Sequence, residues 1–135
     1  MDTLNNFLTK ATMSIEVVKV NTETNNQSVT LAVNSDCNLA DYLLYDETFN
    51  EDGISNLDRF MYRFPNQKVK AGDSVTLYVN DPENEKTKKI VAVQNHHRLF
   101  WGLGRDVFNQ QNNERIHLIK IASSSSFDIP KTENE

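Results

Sequence analysis

Residues 27–33 read Gln-Ser-Val-Thr-Leu-Ala-Val, which sets Val29, Leu31 and Val33 on one side of an extended chain and Ser28, Thr30 and Ala32 on the other. A period of two belongs to a strand with one buried face; an amphipathic helix would bring its apolar residues round every three or four positions. The pattern returns in residues 74–79, Ser-Val-Thr-Leu-Tyr-Val, with Val75, Leu77 and Val79 inward. A strand that hides one face needs a second layer to hide it against, so repetition of this motif constrains the chain more than any single residue does.

Further segments of the same kind are spread along the chain. Residues 14–20 (SIEVVKV) are β-branched and alternate imperfectly, and residues 40–47 (ADYLLYDE) and 59–64 (RFMYRF) follow. Residues 88–94 (KKIVAVQ), 97–102 (HRLFWG) and 114–121 (ERIHLIKI) supply the last strands. Between them TETNN, the polar stretch FNEDGISNLD, Pro65-Asn66, Lys70-Ala71-Gly72 and DPENEK are turns or loops by composition. Roughly seven short strands with turn signals every 8–12 residues or so predict an all-β, immunoglobulin-like antiparallel β-sandwich.

The ends differ from the middle. Leu4, Phe7, Leu8 and Ala11 have helical spacing, so residues 1–13 are expected to form a short helix or a loose arm. Residues 123–135 begin with four serines and end in KTENE, the composition of a disordered tail. The folded unit is expected over residues 14–122, and 135 residues in all suit one domain.

Fourteen Lys and Arg against nineteen Asp and Glu leave a net charge of -5, which opposes the phosphate-neutralising surface that nucleic-acid binding requires. Cys37 is the only cysteine and can form no intramolecular disulfide. Met1–Met13 carries no apolar run suited to a signal peptide, and no stretch approaches the ~20 apolar residues of a membrane-spanning helix. A cytoplasmic protein without membrane attachment is the expectation.

The segment Phe100-Trp101-Gly102-Leu103-Gly104-Arg105-Asp106-Val107-Phe108-Asn109 holds the one tryptophan and two of the four glycines. Its Gly-Leu-Gly lacks the third glycine and following helix of a dinucleotide fingerprint and the Gly-Lys-Ser/Thr of a P-loop. It reads instead as a connector that delivers Trp101 and Phe108 to a β-core. With Leu118 and the alternating valines and leucines above, these form the expected core.

Taken in order, several of these pieces resemble the lamin tail domain family, an immunoglobulin-like β-sandwich. They are SIEVVKV, then QSVTLAVNSDCNLADYLLYD, YRFP, VKAGDSVTLYV and FWGLGRDVFNQQNNERIHLI, which together cover about residues 14–121. Two positions depart from the family's pattern: Phe108 stands before Asn109 where many members have Trp, and Asn112-Asn113-Glu114 replaces a Gly-Asp turn. The resemblance implies an appended interaction domain that touches partners through strand edges and loops, and it carries over no catalytic residue.

No catalytic, cofactor-binding or metal-binding residue is therefore expected. Adjacent strand residues His96 and His97 point to opposite faces and cannot jointly ligate one ion. Asp46, Glu47, Glu51 and Asp52 are expected to flank an exposed loop. Asp81, Glu83 and Glu85 offer alternating oxygens but lack the glycine and final glutamate of a calcium loop. Phe60, Tyr62 and Phe64 share one strand phase and are expected to fill a face, not to stack on bases.

The functional expectation is a non-catalytic protein-interaction or scaffolding module with an unidentified protein partner, including a homodimer through a sheet edge. Arg105, Asp106 and His97 are the candidate interaction surface. Two alternatives stay open at this point: a small-ligand-binding or weakly enzymatic β-domain using the loop around Arg105, and a nucleic-acid-binding module.

Overall fold

A computed structural model of the chain describes residues 13–50, 53–55, 60–80, 90–108 and 113–131. Their regular structure is β1 (Ile15–Asn21), β2 (Ser28–Val33), β3 (Cys37–Asn38), β4 (Tyr42–Asn50), β5 (Gly53–Ser55), β6 (Met61–Arg63), β7 (Lys68–Val69), β8 (Ser74–Tyr78), β9 (Ile90–Val93), β10 (His96–Phe100) and β11 (Asn113–Lys120). One 3-10 turn, Leu39–Asp41, precedes β4, and no α-helix occurs among the described residues. The fold is all-β, and among those residues no helix is long and apolar enough to cross a membrane. Residues 1–12, to which most of the N-terminal arm belongs, and the DPENEK loop lie outside the described residues.

The strands form two main sheets. One has the order β1-β2-β8-β10-β9; in the other β4 is flanked by β11 on one side and by β5 and β6 on the other. A two-stranded ladder, β3 with β7, stands beside them. Val29, Leu31, Val33, Val75, Leu77, Val79 and Leu99 of the first sheet share one buried cluster with Tyr42 and Leu44 of the second. Burial follows the alternation: Val29 and Leu31 are fully buried, while Thr30 between them is half-exposed.

The imperfect alternation of β1 has a local cause. Val17 pairs with Leu31 and Val20 with Val29, so three steps on β1 match two on β2, and the extra residue, Val18, is 56% exposed. That is a β-bulge, which lets Val17 and Val20 both face the core despite their odd spacing. The 3-10 turn is fixed by Asn38, whose Oδ1 accepts from the N–H of Ala40 at 2.9 Å and of Gln67 at 3.1 Å. It delivers Tyr42 to the interior, where the phenolic oxygen accepts the Ser14 N–H at 3.2 Å and ties the start of β1 to the second sheet.

Three expectations need correction. The first sheet is mixed, not purely antiparallel, because β10 runs parallel to β8. The β9–β10 hairpin, turning at Gln94 (φ 56°), docks through its second strand, and a hairpin's second strand runs in the direction that β8 does. The segment expected to be a polar loop, residues 49–58, instead continues β4 to Asn50 and contains β5, which pairs with it. Asp46 and Glu47 are consequently buried ladder residues, 2% and 5% exposed, while Glu51 and Asp52 of the same expectation lie outside the described residues. Asp46 brackets Phe60: its N–H donates to the Phe60 carbonyl at 3.1 Å, and its Oδ1 accepts the Phe60 N–H at 2.7 Å.

Candidate interaction site

The segment after β10 crosses from the first sheet toward β11. The Trp101 N–H donates to the Tyr78 carbonyl at 2.8 Å and the Leu103 N–H to that of Val79 at 3.2 Å, so the chain follows the end of β8 before it leaves. Gly102 and Gly104 have φ of +74° and +72°, in the left-handed region, with open space where a Cβ would stand. Both are therefore there for backbone conformation, not to let a ligand or neighbouring strand approach. Trp101 is half-buried against the core, edge-on to Tyr62 at 5.6 Å, and Tyr62 is edge-on to Phe64 at 5.1 Å. Burial pushes the Tyr62 phenol up to about 12.

Gln27 fastens the far end of this connector. Its Oε1 accepts from the N–H of Val107 at 2.8 Å and of Phe108 at 2.9 Å, while Nε2 donates to the carbonyls of Phe108 and Thr22. Nearby, both Asp106 carboxylate oxygens accept the Asn25 N–H, at 3.0 and 3.2 Å, and Asn25 itself has φ 65°. A loop whose carboxylate already caps a neighbouring turn is a poor cradle for phosphate.

The three residues expected to form the interaction surface have different partners. Arg105 lies over the Phe60 ring at 5.1 Å, and Asp106 holds Asn25. His97, 6% exposed, pairs through Nε2 with Asp73 at 3.0 Å. His97 sits near the start of β10, and the four residues to Trp101 span about 13 Å of strand at ~3.3 Å each. Of the expected core, Val29, Leu31, Val33, Val75, Leu77, Val79 and Phe108 are buried, and Trp101 and Leu118 are half-buried at its margin.

Two polar pairs look superficially like catalytic machinery. The Ser74 hydroxyl meets His96 Nδ1, and Asp73 meets His97, but the two histidines alternate across the strand, so Asp73 orients a different histidine from the one that touches the serine. Asp73 is held below the usual carboxylate range, first by the Lys70 N–H and then by His97. Cys37 is half-buried, and burial together with Asp41 and Asp36 pushes its thiol up, away from the reactive thiolate. Among the described residues no three His, Cys, Asp or Glu side chains converge as metal ligands.

Sequence reasoning missed two surfaces. Tyr78 and Phe100 stack at 5.6 Å on the outer face of the first sheet, with the Arg98 guanidinium 5.2 and 5.6 Å from the two rings. Strand phase could have found them, since Leu77, Val79 and Leu99 inward leave Tyr78 and Phe100 outward. The guanidinium lies on these rings and competes with anything that would stack there.

The second surface is a groove along one side of the molecule, between the margins of the two sheets. It consists of two hollows of about 240 and 600 Å³ that share Val17 and Ile116. Its apolar lining comes from Met13, Ile15, Val17 and Val20 on one bank and Ile116 and Leu118 on the other. Each bank is the last strand of its sheet, β1 in one and β11 in the other, so among the described residues each presents an edge without a neighbouring strand. No protein-family model and no curated protein matches the chain.

Proposed function

We propose that this chain is an immunoglobulin-like β-sandwich of the lamin tail type, acting as a non-catalytic protein-interaction or scaffolding module that accepts an extended segment along the β1–β11 groove. The observation that carries the reading is the coincidence of two things at one place. An edge offers backbone N–H and C=O groups in register for an added strand, and the half-buried apolar side chains beside it form pockets for every second side chain of that strand. Natural sheets usually blunt an exposed edge with charge, proline or a bulge. Here β1 carries its bulge at Val18 and Lys19 just after it; β11 carries Glu114, Arg115 and Lys120 but runs eight residues with no proline and no register shift, so its backbone groups stay in register for a partner.

The alternative of a small-ligand site around Arg105 loses support because Arg105, Asp106 and His97 have separate partners. Nucleic-acid binding is opposed by the net charge of -5. Selection of a displayed random-peptide library against the chain tests the reading. Enriched peptides should carry apolar residues at alternate positions and should shift the amide resonances of β1 and β11. A selection that enriches nothing, or peptides that perturb only the Arg98–Tyr78–Phe100 face, would remove the groove from consideration.

A further inference from the structure

The groove has a matching object on the same chain. After Lys120 the backbone leaves the sheet, and residues 122–131 are exposed throughout, without regular secondary structure. Phe127 and Ile129 are 87% and 86% exposed, the two most exposed large apolar side chains described. They stand two residues apart, so in an extended chain both point the same way, about 6.6 Å from each other at ~3.3 Å per residue. Burying apolar side chains of this size is favourable, so leaving both in water is costly.

We infer that the groove is filled by the C-terminal segment of a second copy of this chain, residues 126–130 adding as a strand beside β11, with Phe127 and Ile129 entering the two hollows. This deepens the proposed function and rests on its reading of the groove as a strand-accepting site. Two features favour this occupant. Two knobs at strand spacing meet two hollows that adjoin at Val17 and Ile116. Asp128, between the knobs, then points away from the hollows, as strand alternation requires. Pro130 follows Ile129 directly and, having no N–H, ends the added ladder there.

A second copy is implied because the structure holds the tail off its own groove, with Phe127 almost wholly in water. Exchange of two identical tails is reciprocal and closes as a twofold dimer with no edge of β11 left open.

The test uses the full chain, the double variant Phe127→Asp/Ile129→Asp, and a fluorescent peptide of residues 121–131. The expected result is a wild-type dimer whose mass halves on dilution, a double variant that stays monomeric and melts where the diluted, monomeric wild type does, and peptide binding to that monomer. Val20→Asp in the double-variant background should weaken peptide binding at least tenfold, and Val18→Asp, which turns outward on the same strand, should leave it unchanged. A wild-type chain that is monomeric up to millimolar concentration overturns the inference, as does a double variant that still dimerises. If the tail peptide does not bind while library-selected peptides do, the groove reading survives and only the occupant is wrong. If neither binds, both readings fall together.

Discussion

The side-chain amide of Gln27 grips the backbone of Phe108 from both sides, its oxygen accepting the Phe108 N–H at 2.9 Å and its nitrogen donating to the Phe108 carbonyl. A second N–H, from Val107, reaches the same oxygen at 2.8 Å, so one 2%-exposed side chain satisfies three backbone groups of a segment that has no strand to pair with. Buried backbone that leaves a sheet must find partners elsewhere. Gln27 sits at the entry to β2 and supplies them across 81 residues of sequence.

Replacing Gln27 by Leu keeps most of the volume and strands those groups. Each buried group left without a partner costs about 1–3 kcal/mol, and partial relaxation should bring the total to about 3 kcal/mol of unfolding free energy. Gln27→Glu keeps an acceptor for the two N–H groups but aims a carboxylate at the carbonyls of Phe108 and Thr22, so it should rescue little. Urea unfolding of the three proteins checks this; a Leu variant within ~0.5 kcal/mol of wild type would show that the clamp does not matter.

Gly102 and Gly104 offer a cleaner test of the connector, because the space beside each is empty and only the backbone angle distinguishes alanine from glycine. Each Gly→Ala should cost about 1–2 kcal/mol through the left-handed conformation alone, and Gly→Asn clearly less, since asparagine visits that region more readily. If alanine and asparagine cost the same at both sites, backbone conformation is not what selects glycine there.

Much of the strand content was legible in the sequence because burial on one face writes itself as alternation: Val29, Leu31 and Val33, then Val75, Leu77 and Val79, all turn inward. What alternation cannot encode is which strand neighbours which. The parallel union of β8 with β10 depends on which arm of the β9–β10 hairpin docks, and both arms have strand composition. The bulge at Val18 disguised β1 as an irregular strand, although Val17 and Val20 face the core as regularly as their partners do. The groove was the least legible feature, because its banks are the second sheet's last strand and the first sheet's first, brought together only by tertiary structure. Gln27 gave no signal at all: a glutamine before a strand is ordinary until the connector arrives beside it.

The acid limb of stability should depend on Asp73. Its carboxyl is held below the usual range by the Lys70 N–H and by His97, so the folded state prefers the carboxylate more than the unfolded state does. A depressed folded value contributes stability above the unfolded value near ~3.9, and that contribution is lost as pH falls through the folded value. Asp73→Asn should therefore be less stable than wild type at pH 6, and the gap should close on acidification below about pH 4. Paired unfolding curves from pH 6 to pH 2 decide it; a gap that is constant across the range would assign the loss to packing instead.

The alkaline limb should depend on Tyr62. Its phenol, wedged between Phe64 and Trp101, is raised by burial to about 12 from an ordinary 10. A raised folded value means that the unfolded chain ionises first, so stability is intact below about pH 10 and falls as pH rises toward the folded value. Absorbance near 295 nm should show a Tyr62 step only near pH 12, or only as the protein unfolds. Tyr62→Phe should remove that late step and flatten the decline in stability between pH 10 and 12, leaving the first sheet's core unchanged. A variant with the same alkaline decline as wild type would mean that Tyr62 ionises freely, and that the aromatic wedge joining the connector to β6 is open to water.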